Sequence, residues 1–119
     1  MSNYLFTLPF PPSLNSIRAC VRGRMITSKK ARDYFKLVEN EMTNLNLNHE
    51  GIECHVSVSI TLNPPTLRKF DIDNYAKSIL DSLTKCGFWI DDDQVYRLTL
   101  SKGKKIKGGS AVVSINKLV

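Results

Sequence analysis

Residues 52–62, IECHVSVSITL, alternate apolar and polar side chains without a break. Ile52, Cys54, Val56, Val58, Ile60 and Leu62 fall on one side of an extended chain, and Glu53, His55, Ser57, Ser59 and Thr61 on the other. Such a strand is buried on one face only. It needs neighbouring strands and a second layer over its apolar side, which confines the chain to two-layer architectures. Two stretches with three-four apolar spacing supply that layer. Ala31, Tyr34, Phe35, Val38, Met42 and Leu45 stripe a helix over 29–44, with Ser28 as its N-cap. Ile72, Ala76, Ile79, Leu80 and Leu83 stripe a second helix over 73–85, with Gly87 near its C-cap.

Shorter strands fit at 4–8, 24–27, 94–101 and 110–116. Three prolines in the four residues after Leu8 stop the first of them. Residues 13–23 read as a loop carrying Arg18 and Arg22, and KGKKIKGG as a Gly-rich hairpin loop between the last two strands. The predicted fold is α+β, a single domain over 1–119 with a small mixed β-sheet and two main helices packed on one face. No repeat or linker interrupts it.

Composition bears on function mainly through charge. The net charge is +6, but residues 71–93 carry six acids and two bases, a local balance of −4 against +10 for the rest. A basic body attracts polyanions such as nucleic acid, and the acidic segment within it repels them unless divalent cations stand between. No run approaches the roughly 20 apolar residues of a membrane span, and no secretory signal opens the chain, so a cytoplasmic protein without membrane contact is expected. Cys20, Cys54 and Cys86 are odd in number and far apart, and His49 and His55 complete no ligand spacing. Free, buried or partly buried thiols are expected, with neither a disulfide framework nor a zinc site.

The acidic segment has two parts. In KFDIDNYAKSILDSL, Asp71 and Asp73 stand at or just before the second helix, and an extended backbone there turns both carboxylates the same way. Taken alone, they read equally well as an N-cap and a loop residue. In GFWIDDDQV, Asp91, Asp92 and Asp93 follow an apolar anchor whose Trp89 pins the backbone. The spacing does not meet the D-x-D-x-D-G of an EF-hand, and adjacent aspartates lack the apolar pocket of a glycosidase acid. Asn74, Lys77 and Asp81 share one helix face. Lys77 sits four residues past Asp73, as an ion pair or as a contact for a scissile phosphate. Clustered carboxylates are hard ligands for Mg²⁺, with Mn²⁺ as a substitute, and joined to a basic body they point to metal-dependent phosphodiester hydrolysis.

Taken together, FDIDNYAKSILDSLTKCGFWIDDDQV, the early LPFPPSLN and the late KGG resemble the RusA family of Holliday junction resolvases over nearly the whole chain. The resemblance implies a homodimeric, Mg²⁺-dependent endodeoxyribonuclease acting in recombination and repair. It would bind branched DNA, namely four-way junctions, and make paired symmetric nicks. It implies Asp71, Asp73 and Asp92 as metal ligands and catalytic residues and Lys77 as a further catalytic residue, with Asn74 and Asp91 in support. This chain has three consecutive aspartates where the family pattern has two, and spacing alone does not choose among them. Arg18, Arg22, Arg24, Lys29, Lys30, Arg68, Lys69, Lys102, Lys104, Lys105 and Lys107 are the candidate DNA contacts, suited to phosphates rather than bases. A non-catalytic basic DNA-binding protein and a metal nuclease for another branched or duplex nucleic acid are the rival readings.

Overall fold

The computed structural model describes residues 3–16 and 18–118, with residues 18 and 19 described by their backbone. Its main sheet contains β1 (Tyr4–Leu8), β4 (Val56–Asn63), β5 (Val95–Lys102) and β6 (Ser110–Lys117) in the order β1-β6-β4-β5. β6 runs antiparallel to both neighbours, whereas β4 and β5 are parallel. The sheet is therefore mixed. A separate two-stranded ribbon joins β2 (Arg18–Val21) to β3 (Arg24–Thr27). Two helices complete the fold, α1 (Lys29–Asn44) and α2 (Ala76–Lys85).

The register explains the core. Ile60 stands opposite Val113 on one side and Leu100 on the other, and Val58 opposite Ile115 and Leu98. Apolar rows thus cross the sheet on one face. Tyr34, Val38 and Met42 of α1 and Ala76, Ile79 and Leu83 of α2 pack in the same buried cluster as Val56, Val58, Ile60 and Leu62. A ten-residue helix such as α2 is too short to persist alone in water, so this burial holds it in place. Ser28 caps α1 as expected, its hydroxyl accepting from the Ala31 amide.

Four sequence expectations need correction. β4 begins at Val56, not at residue 52. Ile52 makes an isolated parallel bridge to Trp89, and the Ile52 and Cys54 carbonyls accept from a side chain, the Gln94 amide. Cys54 is consequently exposed, as is Cys20, and only Cys86 has a buried thiol. The stretch 13–23 is not all loop. It holds a 3-10 turn at Leu14–Ser16 and the strand β2, which turns into β3 through Arg22 and Gly23, both with positive φ (52° and 75°). A two-residue turn of that handedness matches the twist of paired strands. Lastly, the lysine-rich loop is not a hairpin, because β4 lies between β5 and β6 and the loop passes across its end.

The edge strand β5 stays largely uncovered. Leu98 shares the helix-side face with Val58 but is 41% exposed, and Tyr96 is 65% exposed. The helical layer therefore stops short of this edge. An open seam remains between α2 and β5.

Candidate metal and nucleic-acid site

Both acidic segments border this seam. A 3-10 turn at Ile72–Asn74 precedes α2 and lies against β5, and a second at Asp92–Gln94 precedes β5 and lies against α2. Asp71 is extended (φ −86°, ψ 122°), but the turn after it replaces the continuous extended backbone expected there. Tyr75 (φ −118°, ψ −10°) separates that turn from α2. The carboxylates of Asp71 and Asp73 are exposed and accept no hydrogen bond among the described residues. Neither acts as an α2 cap.

Lys77 pairs with Asp81 at 2.9 Å across one turn of α2. The alternative pairing with Asp73 is not formed, because Asp73 belongs to the preceding turn and not to the helix. Both partners are partly exposed, so the pair contributes only a few tenths of a kcal/mol. Its value to the site is positional: it holds the ammonium along the polar face of α2.

The three consecutive aspartates have different environments. Asp91 caps the second turn, its Oδ1 accepting from the Asp93 amide at 3.0 Å. Asp93 is exposed. Asp92 is half-buried, and its carboxyl is held above the ordinary carboxylate range. Burial is the largest cause, followed by the Asp91 carboxyl beside it, with Asp81 adding repulsion. The nearby positive charge of Lys77 opposes these effects without cancelling them. Asp92 is thus the aspartate of the three that meets the charged face of α2.

The turn bearing Asp92 is fixed by two devices. Phe88 and Trp89 are fully buried (0% and 1% exposed), and the indole Nε1 donates to Thr84 Oγ1 at 2.7 Å. These aromatics are core residues. Gln94 does the rest. Its buried Oε1 accepts from the Ile90 and Asp91 amides at 2.9 and 2.8 Å, and its Nε2 donates to the Ile52 and Cys54 carbonyls at 2.8 and 2.9 Å. Sequence reasoning placed Gln94 in the strand and missed this. The sequence signal was an amide three residues past Asp91, the spacing of a capping box.

Among the described residues, no three His, Cys, Asp or Glu side chains already converge as a metal cage. The donor chemistry nevertheless suits a hard divalent cation. Two unpartnered carboxylates stand on one turn, and a third is half-buried among like charges that a cation would relieve.

The candidate DNA contacts divide by position. Lys30, Arg68 and Lys69 line one cleft, and Arg68, Lys69, Lys102 and Lys105 line a smaller one alongside it. Arg22 and Arg24 are exposed on the β2–β3 ribbon, and Lys104 and Lys107 on the loop before β6. Lys29 is engaged with Asp33 at 2.8 Å. The side chain of Arg18 lies outside the described residues. No helix among the described residues is long and apolar enough to cross a membrane.

Residues 9–116 match the family described as Endodeoxyribonuclease RusA. The chain is 34% identical to the crossover junction endodeoxyribonuclease RusA of Escherichia coli (strain K12) and of Shigella sonnei (strain Ss046). It is 33% identical to the protein of that name from Enterobacteria phage 82. Each comparison covers 99% of this chain and 98% of the relative. The chain belongs to the RusA endodeoxyribonuclease family.

Two outcomes follow from the geometry. Gln94→Leu strands backbone groups on both sides of the clamp and should cost about 2–3 kcal/mol in chemical denaturation. Because the folded-state pKa of Asp92 is raised, the native protein holds a proton that the unfolded chain releases, and stability falls as pH rises through that window. In metal-free buffer, Asp92→Asn should therefore melt higher than the wild type at neutral pH. The difference should vanish by about pH 3, below both pKa values. An equal gain at both pH values would contradict the assignment.

Proposed function

We propose that the chain is a structure-selective endodeoxyribonuclease that resolves four-way DNA junctions by paired symmetric nicks. It would act as a single RusA-like domain over 1–119, forming a homodimer in the cytoplasm during recombination and repair. Endodeoxyribonuclease activity follows from the family, and a divalent metal requirement goes with it. The observation that carries the finer reading is the position of Asp92. The chain brings it to the Lys77–Asp81 face of α2, on the same open seam that the Asp71–Asp73 turn borders.

In this reading Asp71, Asp73 and Asp92 hold Mg²⁺, or Mn²⁺ in its place. The bound ion would supply Lewis acidity for phosphodiester hydrolysis, acidifying the attacking water and neutralising charge on the leaving oxygen. Lys77, held by Asp81, offers its ammonium to the phosphate as negative charge develops. Asp91 supports the turn through the Asp93 amide, and Asn74 lies on the turn that presents Asp73. The basic loops bind phosphates of the junction arms without reading bases, which suits recognition by shape. Two equivalent strands related by a twofold axis call for two copies of the site, hence the dimer.

The test uses a labelled four-way junction and a matched linear duplex, each with Mg²⁺ or EDTA. Metal-dependent paired nicks in the junction alone are expected. Asp73→Asn and Asp92→Asn should retain binding in a gel shift but lose cleavage, and Lys77→Ala should slow it by about 10²-fold. Equal cleavage of both substrates would remove the junction specificity. Binding without cleavage across a range of Mg²⁺ and Mn²⁺ would make this a non-catalytic DNA-binding protein.

A further inference from the structure

A cleft of about 650 Å³ opens next to the Asp71–Asp73 turn, and its lining pairs aromatic rings with cations. Phe10, Phe70 and Tyr75 supply the rings; Lys30, Arg68 and Lys69 supply the charge. The three rings touch pairwise, with centroids 6.1 Å apart for Phe10–Phe70, 5.2 Å for Phe10–Tyr75 and 5.3 Å for Phe70–Tyr75. All three are half-buried at the margin of the core, so part of their surface faces the cleft. The three cations are exposed and form no ion pair among the described residues. Lys102 adds its ammonium over the Phe70 ring, 4.5 Å from the centroid.

The walls are held in place by specific bonds. Tyr34 donates its hydroxyl to the Pro9 carbonyl at 2.7 Å, and Ser78 of α2 donates to the Pro12 carbonyl at 3.2 Å. The proline-rich segment after β1 is thereby tied to both helices. On its far side Gly109 (φ 71°) presses so close that a Cβ there would stand 2.8 Å from the Phe10 Cβ. LPFPP and KGG, prominent in the sequence but absent from the chemistry above, thus meet at this cleft.

We propose that this cleft receives one unstacked nucleotide of the DNA strand beside the cleaved bond. Its base would lie against the Phe10–Phe70–Tyr75 cluster, and its phosphate would meet Lys30, Arg68 and Lys69. The volume lies within the range of small-ligand sites. Aromatic faces take any base, and the unpaired cations match a phosphate. Continuity with the carboxylates fixes the neighbourhood, since Phe70 immediately precedes Asp71 and Tyr75 follows Asp73 by two residues. The inference rests on the nuclease reading and adds to it a subsite where the presence of a stacked base, whatever its identity, promotes cleavage.

The test is an abasic scan of the junction strands with the full chain. One abasic site is stepped through the nucleotides flanking the nick. Wild-type protein should show one position where base removal slows cleavage by about tenfold or more. Tyr75→Leu and Phe70→Leu should slow cleavage of the intact junction by a similar factor and become insensitive to base removal at that position. Lys69→Ala and Lys30→Ala, on exposed side chains that the fold does not need, should raise KM several-fold with kcat held. Lys36→Ala, which removes the same charge away from the cleft, should not. A flat scan with wild-type protein that cleaves the intact junction would overturn the cleft alone. So would full base sensitivity in a folded Tyr75→Leu variant, or equal KM changes for Lys69→Ala and Lys36→Ala. No cleavage of the intact junction at all would overturn the cleft and the nuclease reading together.

Discussion

Parallel pairing of β4 with β5 forces the chain to travel back along the sheet between them, and α2 is the segment that makes the return. One turn enters that crossing and another leaves it. Both carry aspartates, and both fold onto the seam between α2 and the edge strand. A hairpin in place of the crossing would not have brought both turns to α2. Their common placement is in this sense a consequence of strand direction.

The seam is open because β5 is an edge strand that the helices do not cover, and its exposed face gives a large substrate room to approach. Openness alone would leave the aspartates poorly placed. The entering turn is short and lies against β5, while the leaving turn is fastened by the Trp89 anchor and the Gln94 clamp. Buried amides with every donor and acceptor engaged are rigid supports, since losing any one partner exposes an unpaid polar group. Opposite charges are also sorted by this arrangement: the acids lie on or beside the two turns, and Lys30, Arg68 and Lys69 line the neighbouring cleft.

Elements that bury a regular face were legible in the sequence. The α1 stripe predicted its bounds and its Ser28 cap, and the alternation from Val56 to Leu62 predicted the strand at the centre of the core. Errors arose where a side chain or a long-range partner took over backbone groups. The alternation over Ile52 to His55 resembles strand, yet the Gln94 amide claims two of its carbonyls and Ile52 bridges to Trp89. Arg18–Val21 shows no apolar alternation, and its pairing depends on positive φ at Arg22 and Gly23. The i,i+4 rule linked Lys77 to Asp73, but the break at Tyr75 leaves Asp81 as its partner. The pairing order of β5 and β6 depends on which strand lies between them, and local pattern carries no record of that. Among the three aspartates, environment rather than spacing distinguishes Asp92.

The central claim is that the two acidic turns act on one metal ion. Mn²⁺ binding to the metal-free protein, followed by electron paramagnetic resonance for the wild type, Asp73→Asn, Asp92→Asn and the double variant, tests it directly. If the turns share the ion, each single substitution weakens binding by about tenfold or more, and the double variant loses little beyond the weaker single. Wild-type affinity in Asp92→Asn would contradict the account.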